Sequence, residues 1–192
     1  MVAIIKYNAG NSRSVKNALR RLGYQSIITD EPDRIKDADK VIFPGVGQAA
    51  AAMSFLERSG IDKLILNLNQ PMLGICLGLQ LMCRCSDESN TICLGIFDAE
   101  VKRFPPQKII PHMGWNNFER VEGELFDGLS KQGHMYFVHS YYAELCPDAS
   151  AVCDYITPFS AAIQKNNFYG VQFHPEKSGE AGEKLLLNFL KL

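Results

Sequence analysis

The sequence predicts an α/β fold: a mainly parallel central sheet, helices on both faces, and an antiparallel extension. Three observations carry that prediction. Short apolar runs alternate with helical stretches through the first half, the β-α order that builds parallel sheets. The second half has fewer helices and closely spaced strands, which suggests hairpins. No linker, repeat or low-complexity segment interrupts the 192 residues. A single domain over residues 1–192 is therefore expected, long enough to bury about 70% of its unfolded surface.

In order, residues 2–7 read as a first strand. Asn8-Ala9-Gly10-Asn11-Ser12 is a turn-rich loop ending in a good N-cap. A helix over 13–22 follows, with Val15, Ala18, Leu19 and Leu22 at helical spacing. Gly23 closes it, and strands are expected over 24–29 and 40–43, the second of these leading into Pro44-Gly45-Val46-Gly47. Helices over 48–58 and 61–68 precede a buried strand over 72–75. Leu77 to Met82 is rich in helix formers, and the helix is expected to run on through Cys83 and Cys85, which then lie on different faces as packing residues. Further strands are expected around 97–104, 135–142, 151–155, 161–164 and 169–173, and a last helix over 180–190 buries Leu185, Leu186, Phe189 and Leu190.

Composition narrows the function. Hydrophobic residues make up 46% and charged residues 21%, ordinary for a globular protein. A net charge of −1 with no basic run argues against nucleic acid or an anionic membrane surface as partner. No apolar stretch approaches the roughly 18 residues of a membrane span, and residues 1–7 are too short for a signal peptide. The six cysteines (76, 83, 85, 93, 146 and 153) form no Cys-x-x-Cys pair and have no histidine at ligand spacing. A cytoplasmic protein with reduced thiols, no metal and no cofactor is expected.

Cys76 stands where the apolar run Met72 to Ile75 meets the helix, with Gly74 and Gly78 two residues to either side. That is the Gly-x-nucleophile-x-Gly elbow with cysteine in place of serine. A sharp strand-to-helix turn strains the backbone of its central residue, and small neighbours let the chain pack around it. The alternative is a buried cysteine ahead of a helix. A second stretch, Gly170-Val171-Gln172-Phe173-His174-Pro175-Glu176, places His174 and Glu176 two apart. On a strand end they point the same way, as a carboxylate must to hold an imidazole for a nucleophile. Cys76, His174 and Glu176 thus compose a candidate triad drawn from two strand ends. The glycines of Pro44-Gly45-Val46-Gly47 can turn backbone amides toward a ligand, as an oxyanion hole requires. The same segment, extended to Ala50, also fits the dinucleotide pattern G-x-G-x-x-A. It follows the third strand instead of the first, and no acid stands at a strand end about 20 residues on, which counts against a nucleotide cofactor.

Gly74-Ile-Cys-Leu-Gly-Leu-Gln80 with His174-Pro-Glu176 resembles the class I (triad) glutamine amidotransferases. Within that class, Gly10-Asn11, Pro44–Gly47, Pro111-His-Met-Gly-Trp-Asn116, Tyr136-Phe-Val-His-Ser-Tyr141 and His174-Pro-Glu-Lys-Ser178 are similar to the glutaminase subunits of imidazole glycerol phosphate synthases. The likeness spans nearly the whole chain. It departs at Asn8 and at Gln48-Ala49-Ala50-Ala51, where relatives more often carry small residues, or an aromatic and a glycine. The resemblance implies a flavodoxin-like arrangement and hydrolysis of glutamine through a γ-glutamyl thioester on Cys76. His174 would move the proton and Glu176 would orient it. Val46, Gly47 and Leu77 would form the oxyanion hole, and Gln80, Ser140 and Tyr141 would hold glutamine. Without the family, Ser140 and Tyr141 read as a half-buried strand. The resemblance also implies a heterodimer with a (β/α)8-barrel cyclase subunit that uses the ammonia. Gly10, Asn11, Trp115, Tyr136 and Lys177 are candidates for that interface. Trp115, the single tryptophan, could equally be a core residue. Two further readings stay open: an amidotransferase subunit serving another pathway, such as pyridoxal phosphate synthesis, and a redox-sensing thiol protein in which Cys76 is merely oxidisable.

Overall fold

The computed structural model describes residues 1–7 and 11–192. The first half supplies strands β1 (Val2–Ile5), β2 (Ser26–Thr29), β3 (Lys40–Gly45) and β4 (Met72–Cys76). Between them lie α1 (Ser12–Arg21), α2 (Pro32–Lys36), α3 (Ala49–Ser59) and α4 (Ile61–Leu66), and α5 (Leu77–Met82) follows β4 directly. The second half contains β5 (Cys85–Ser86), β6 (Thr91–Ile92), β7 (Glu100–Arg103), β8 (His112–Asn116), β9 (Arg120–Val121), β10 (Met135–His139) and β11 (Tyr141–Ala143). Then come β12 (Ala149–Asp154), β13 (Pro158–Lys165), β14 (Phe168–Val171) and α6 (Gly179–Lys191).

The main sheet has the order β2-β1-β3-β4-β14-β13-β12-β9. Its first five strands are mutually parallel, and β13, β12 and β9 extend it antiparallel. Two smaller sheets, β11-β7-β5-β6 and β10-β8, sit beside it. Strand alternation divides the core between the two faces of the main sheet. Ile4, Ile42, Leu73 and Ile75 pack with α1 and α6 in one cluster, whereas Ile5, Val41, Phe43 and Met72 pack with α3, α4 and α5 in the other. Helices on both faces leave the strand ends as the open rim where open α/β sheets place ligands.

The structure differs from the sequence expectation in particular places. A short helix, α2, carries the chain from β2 to β3; Pro32 stands at its first position, where a missing amide hydrogen costs nothing. Helix α5 stops at Met82 because Cys83 turns extended (ψ 179°), so Cys85 lies in β5 and not in a continuing helix. The 135–142 segment is two strands, β10 and β11, which pair with different partners. No helix among the described residues is long and apolar enough to cross a membrane.

Candidate active site

Cys76 is the last residue of β4 and the residue from which α5 springs, at φ 54° and ψ −108°. A side-chain-bearing residue at positive φ costs of order 1–3 kcal/mol and persists only where its surroundings enforce it. The neighbouring glycines explain the enforcement. A Cβ on Gly78 would lie 2.0 Å from the Phe43 carbonyl oxygen, and one on Gly74 would lie 2.6 Å from the Met82 sulfur. The sulfur of Cys76 faces the Val138 carbonyl at 3.9 Å and receives the Gln172 Nε2 amide at 3.6 Å.

Beside β4, β14 ends at Val171, and the chain continues to a fully buried His174. Its amide donates to Tyr136 O at 2.9 Å, and Ser178 links the same two residues: its hydroxyl donates to His174 O at 2.6 Å and accepts from Tyr136 N at 2.9 Å. Glu176 does not lie on a strand end as the alternation argument supposed. Pro175 opens a 3-10 turn, Pro175–Lys177, and this turn brings the carboxylate back to the imidazole. His174 Nδ1 lies 2.9 Å from Glu176 Oε1, and Asn11 Nδ2 donates to the same oxygen. With Nδ1–H committed to a carboxylate, Nε2 is the nitrogen left for Cys76. Burial would lower the His174 pKa, but Cys76 and Glu176 outweigh it and raise it to about 10, although no hydrogen bond joins Nε2 to a partner among the described residues. An imidazolium is thus favoured when the sulfur is charged.

A cavity of about 300 Å³ opens over the cysteine. Val46 and Gly47 line it from the loop after β3, Leu77 and Gln80 from α5, and residues 138–141 and Pro111 from the other side. Leu77 opens α5, so its amide is one of those a helix leaves without an internal partner. Gln80 is buried and donates to Tyr141 O and to Gln172 Oε1, both at 2.9 Å. Ser140 and Tyr141 are partly exposed to the cavity.

Two residues here escaped the sequence reading. Gln172, fully buried, bridges Gln80 to Cys76; it stands just past the end of β14 at Val171, so strand alternation does not mark it. Glu88 contributes a carboxylate to the cavity while its Oε2 accepts the Ala49 amide at the start of α3 at 2.7 Å. It opens a 3-10 turn, Glu88–Asn90, whose next residues, Ser89 and Asn90, take φ of 57° and 49°, and nothing local in the sequence marks it.

Of the interface candidates, Gly10 lies outside the described residues. Asn11 is bound to the triad carboxylate. Trp115 is 56% exposed and meets Tyr136 edge-on at 5.9 Å, which removes the core alternative, and Lys177 is exposed. Met113, 62% exposed, lies on the same strand as Trp115 and extends the apolar surface. Among the described residues no group of three or more His, Cys, Asp or Glu is placed to hold a metal.

The chain belongs to the glutamine amidotransferase class-I family, whose pattern matches residues 3–192. It is 57% identical to imidazole glycerol phosphate synthase subunit HisH of Bacteroides fragilis (strain YCH46) over 194 residues, covering 100% of this chain and 99% of that one. The HisH protein of Escherichia coli (strain K12) is 46% identical over 194 residues with the same coverage. Among solved structures, a putative GMP synthase protein from Thermoplasma acidophilum aligns with a TM-score of 0.77 at 21% identity, covering 100% of this chain and 92% of that one. A crystal structure of a glutamine amidotransferase aligns at 0.76 and 19% identity, covering 100% and 98%. At such identities these two speak for the fold.

Proposed function

We propose that this chain, acting as one domain, is the glutaminase subunit of an imidazole glycerol phosphate synthase, with Cys76 as nucleophile. The observation that carries the reading is the juxtaposition of a cysteine at positive φ with a buried His174–Glu176 pair, in a chain 57% identical to a HisH subunit along its whole length. Cys76 sulfur attacks the side-chain carboxamide carbon of glutamine. The tetrahedral oxyanion is received by backbone amides at Leu77 and in the Val46–Gly47 loop. His174, charged while the sulfur carries its negative charge, gives its Nε2 proton to the departing nitrogen, since an amide anion will not leave unprotonated. Ammonia departs and the thioester remains. His174 then takes a proton from water as the water attacks the thioester; the C–S bond breaks, glutamate is released, and that proton returns to the sulfur to restore the cysteine. Glu176, itself held by Asn11, keeps Nδ1 as the donor and Nε2 facing the sulfur. Glu88 suits the substrate ammonium and the Ser140–Tyr141 backbone suits its carboxylate.

The ammonia is consumed by a (β/α)8-barrel cyclase partner, which makes imidazole glycerol phosphate and an aminoimidazole carboxamide ribotide for histidine biosynthesis. The exposed Trp115, Met113 and Lys177, with the half-buried Tyr136, are the surface assigned to that partner, in the cytoplasm. A glutamine-analogue electrophile should label Cys76 and none of the other five cysteines, as read by peptide mass spectrometry. Labelling elsewhere with Cys76 untouched would sink the assignment and leave the redox-thiol reading.

A further inference from the structure

His139 is among the residues lining the cavity over Cys76, yet both of its ring nitrogens are engaged by protein groups. Its Nδ1 lies 2.8 Å from Tyr141 O, and its Nε2 lies 3.0 Å from His112 Nδ1. His112 Nε2 in turn lies 3.4 Å from Asn116 Nδ2. The two ends of this chain decide where every proton sits. A carbonyl only accepts, so His139 Nδ1 must carry the hydrogen and Nε2 must be the lone pair. His112 Nδ1 must then donate, and its Nε2 must accept. Asn116 is oriented to supply that last donor: its Oδ1 accepts the Asn117 amide at 2.9 Å and its Nδ2 also donates to Asp154 O at 3.0 Å. Rotating the amide would break both bonds.

At the other end, Tyr141 O accepts from both His139 and the Gln80 amide. The second hydrogen of Gln80 Nε2 goes to Gln172 Oε1, which leaves Gln172 Nε2 to donate to Cys76 sulfur. An unbroken buried line therefore runs from β8, the strand that carries Trp115, to the nucleophile. We propose that His112 and His139 are positioning residues for glutamine, a pair of neutral imidazoles that fix the Tyr141 carbonyl and, through Gln80 and Gln172, the wall of the site against Cys76. This rests on the glutaminase reading above and assigns a task to two histidines that the chemistry itself does not use.

The surroundings keep the pair neutral. Burial pushes His139 down to about 3 and His112 to about 4; the Tyr141 carbonyl pulls His139 the other way, but His112 and His174 add to burial there and Lys108 adds to it at His112. His112 is also stacked between Tyr155, at 4.0 Å and 15°, and Phe137, at 4.9 Å and 23°. Its ring plane, and hence the direction of both nitrogens, is set by that sandwich.

Two measurements test the proposal. A long-range proton–nitrogen spectrum of the full chain labelled in histidine should show both rings neutral with the hydrogen on Nδ1, unchanged from pH 8 to pH 5. An Nε2–H ring at either position, or titration within that range, would overturn it without recourse to any variant. In the complex with the cyclase subunit, His139→Phe keeps an aromatic ring and deletes the donor, whereas His139→Asn loses the ring and keeps an amide donor near the Nδ1 position. His139→Phe should raise the KM for glutamine by about tenfold with kcat changed far less, the scale of one lost hydrogen bond to a buried carbonyl. His139→Asn should stay within about threefold of the wild type. The reverse order would show that the ring merely packs, and would overturn the proposal while glutamine turnover by the wild type leaves the glutaminase reading intact. A wild-type complex that does not hydrolyse glutamine would overturn both.

Discussion

A methyl group at Gly78 would stand 2.0 Å from the Phe43 carbonyl oxygen, a distance that backbone atoms cannot accommodate without moving β3 or α5. The elbow is thus tight because backbone meets backbone, and the positive φ of Cys76 is its consequence. Gly78→Ala should lower stability by about 1–3 kcal/mol or more and depress glutaminase activity, because it displaces the first turn of α5. Gly95→Ala is the control: φ is +68° but the space is open, so about 1 kcal/mol of conformational cost should appear with activity spared. Denaturant midpoints and glutamine turnover compare the two, and indistinguishable effects would contradict the packing argument. Cys76, His174 and Glu176 could be found in the sequence because each sits in a local motif with a steric or chemical reason. Gln172 and Glu88 could not, because their tasks are set by a neighbouring strand and a distant helix end.

At the scale of elements, the loop between β3 and α3 carries the most consequence. Gly47 takes φ 124°, while Val46 is not among the residues at positive φ, as expected of a β-branched side chain. We propose that aiming the Val46 amide at the oxyanion requires the Gly45–Val46 peptide to turn and valine to take the positive φ it resists, so that the resting loop holds this amide away from the hole. Partner docking would shift the balance toward the turned state. One missing oxyanion donor costs about 10²–10³ in rate, and the isolated chain should be suppressed by at least that order. Val46→Gly should raise glutamine hydrolysis by the chain alone; unchanged basal turnover in a folded variant would contradict the gating. The parallel half of the sheet was legible because its helices and strands carry clear periodicity. Strand β8 was not, because only His112 of its five residues is buried, and its partner β10 lies well further along the chain, Asn116 pairing with Met135 and His112 with His139. Helix α5 ends sooner than expected because no proline or glycine stops it in the sequence after Met82, whereas the chain must turn at Cys83 to place β5 beside β7.

For the whole molecule, the sheet separates two apolar clusters and gathers the reactive groups along one rim, so folding and catalysis share buried histidines. His112 and His139 bind protons near pH 6.5 when unfolded but only near 4 and 3 when folded. Between those values the unfolded chain holds more protons, so their contribution is present above pH 6.5 and is lost as pH falls toward 4. His174 runs the other way, raised by Cys76 and Glu176, but its proton belongs to that coupled pair and sets no separate basic limb. Unfolding free energy should therefore fall as pH drops from 6.5 toward 4, and His139→Asn should flatten that acidic limb. An acidic limb unchanged by that substitution would contradict the assignment of the buried pair. The central claim is that this chain releases ammonia at Cys76 for use by a second subunit. The most direct measurement is the cyclase reaction of the assembled complex carrying Cys76→Ser, run once with glutamine and once with an ammonium salt. The glutamine-dependent reaction should vanish and the ammonium-dependent reaction should persist at the wild-type rate. Glutamine-dependent product from the Cys76→Ser complex, or loss of both reactions in an intact assembly, would contradict the account.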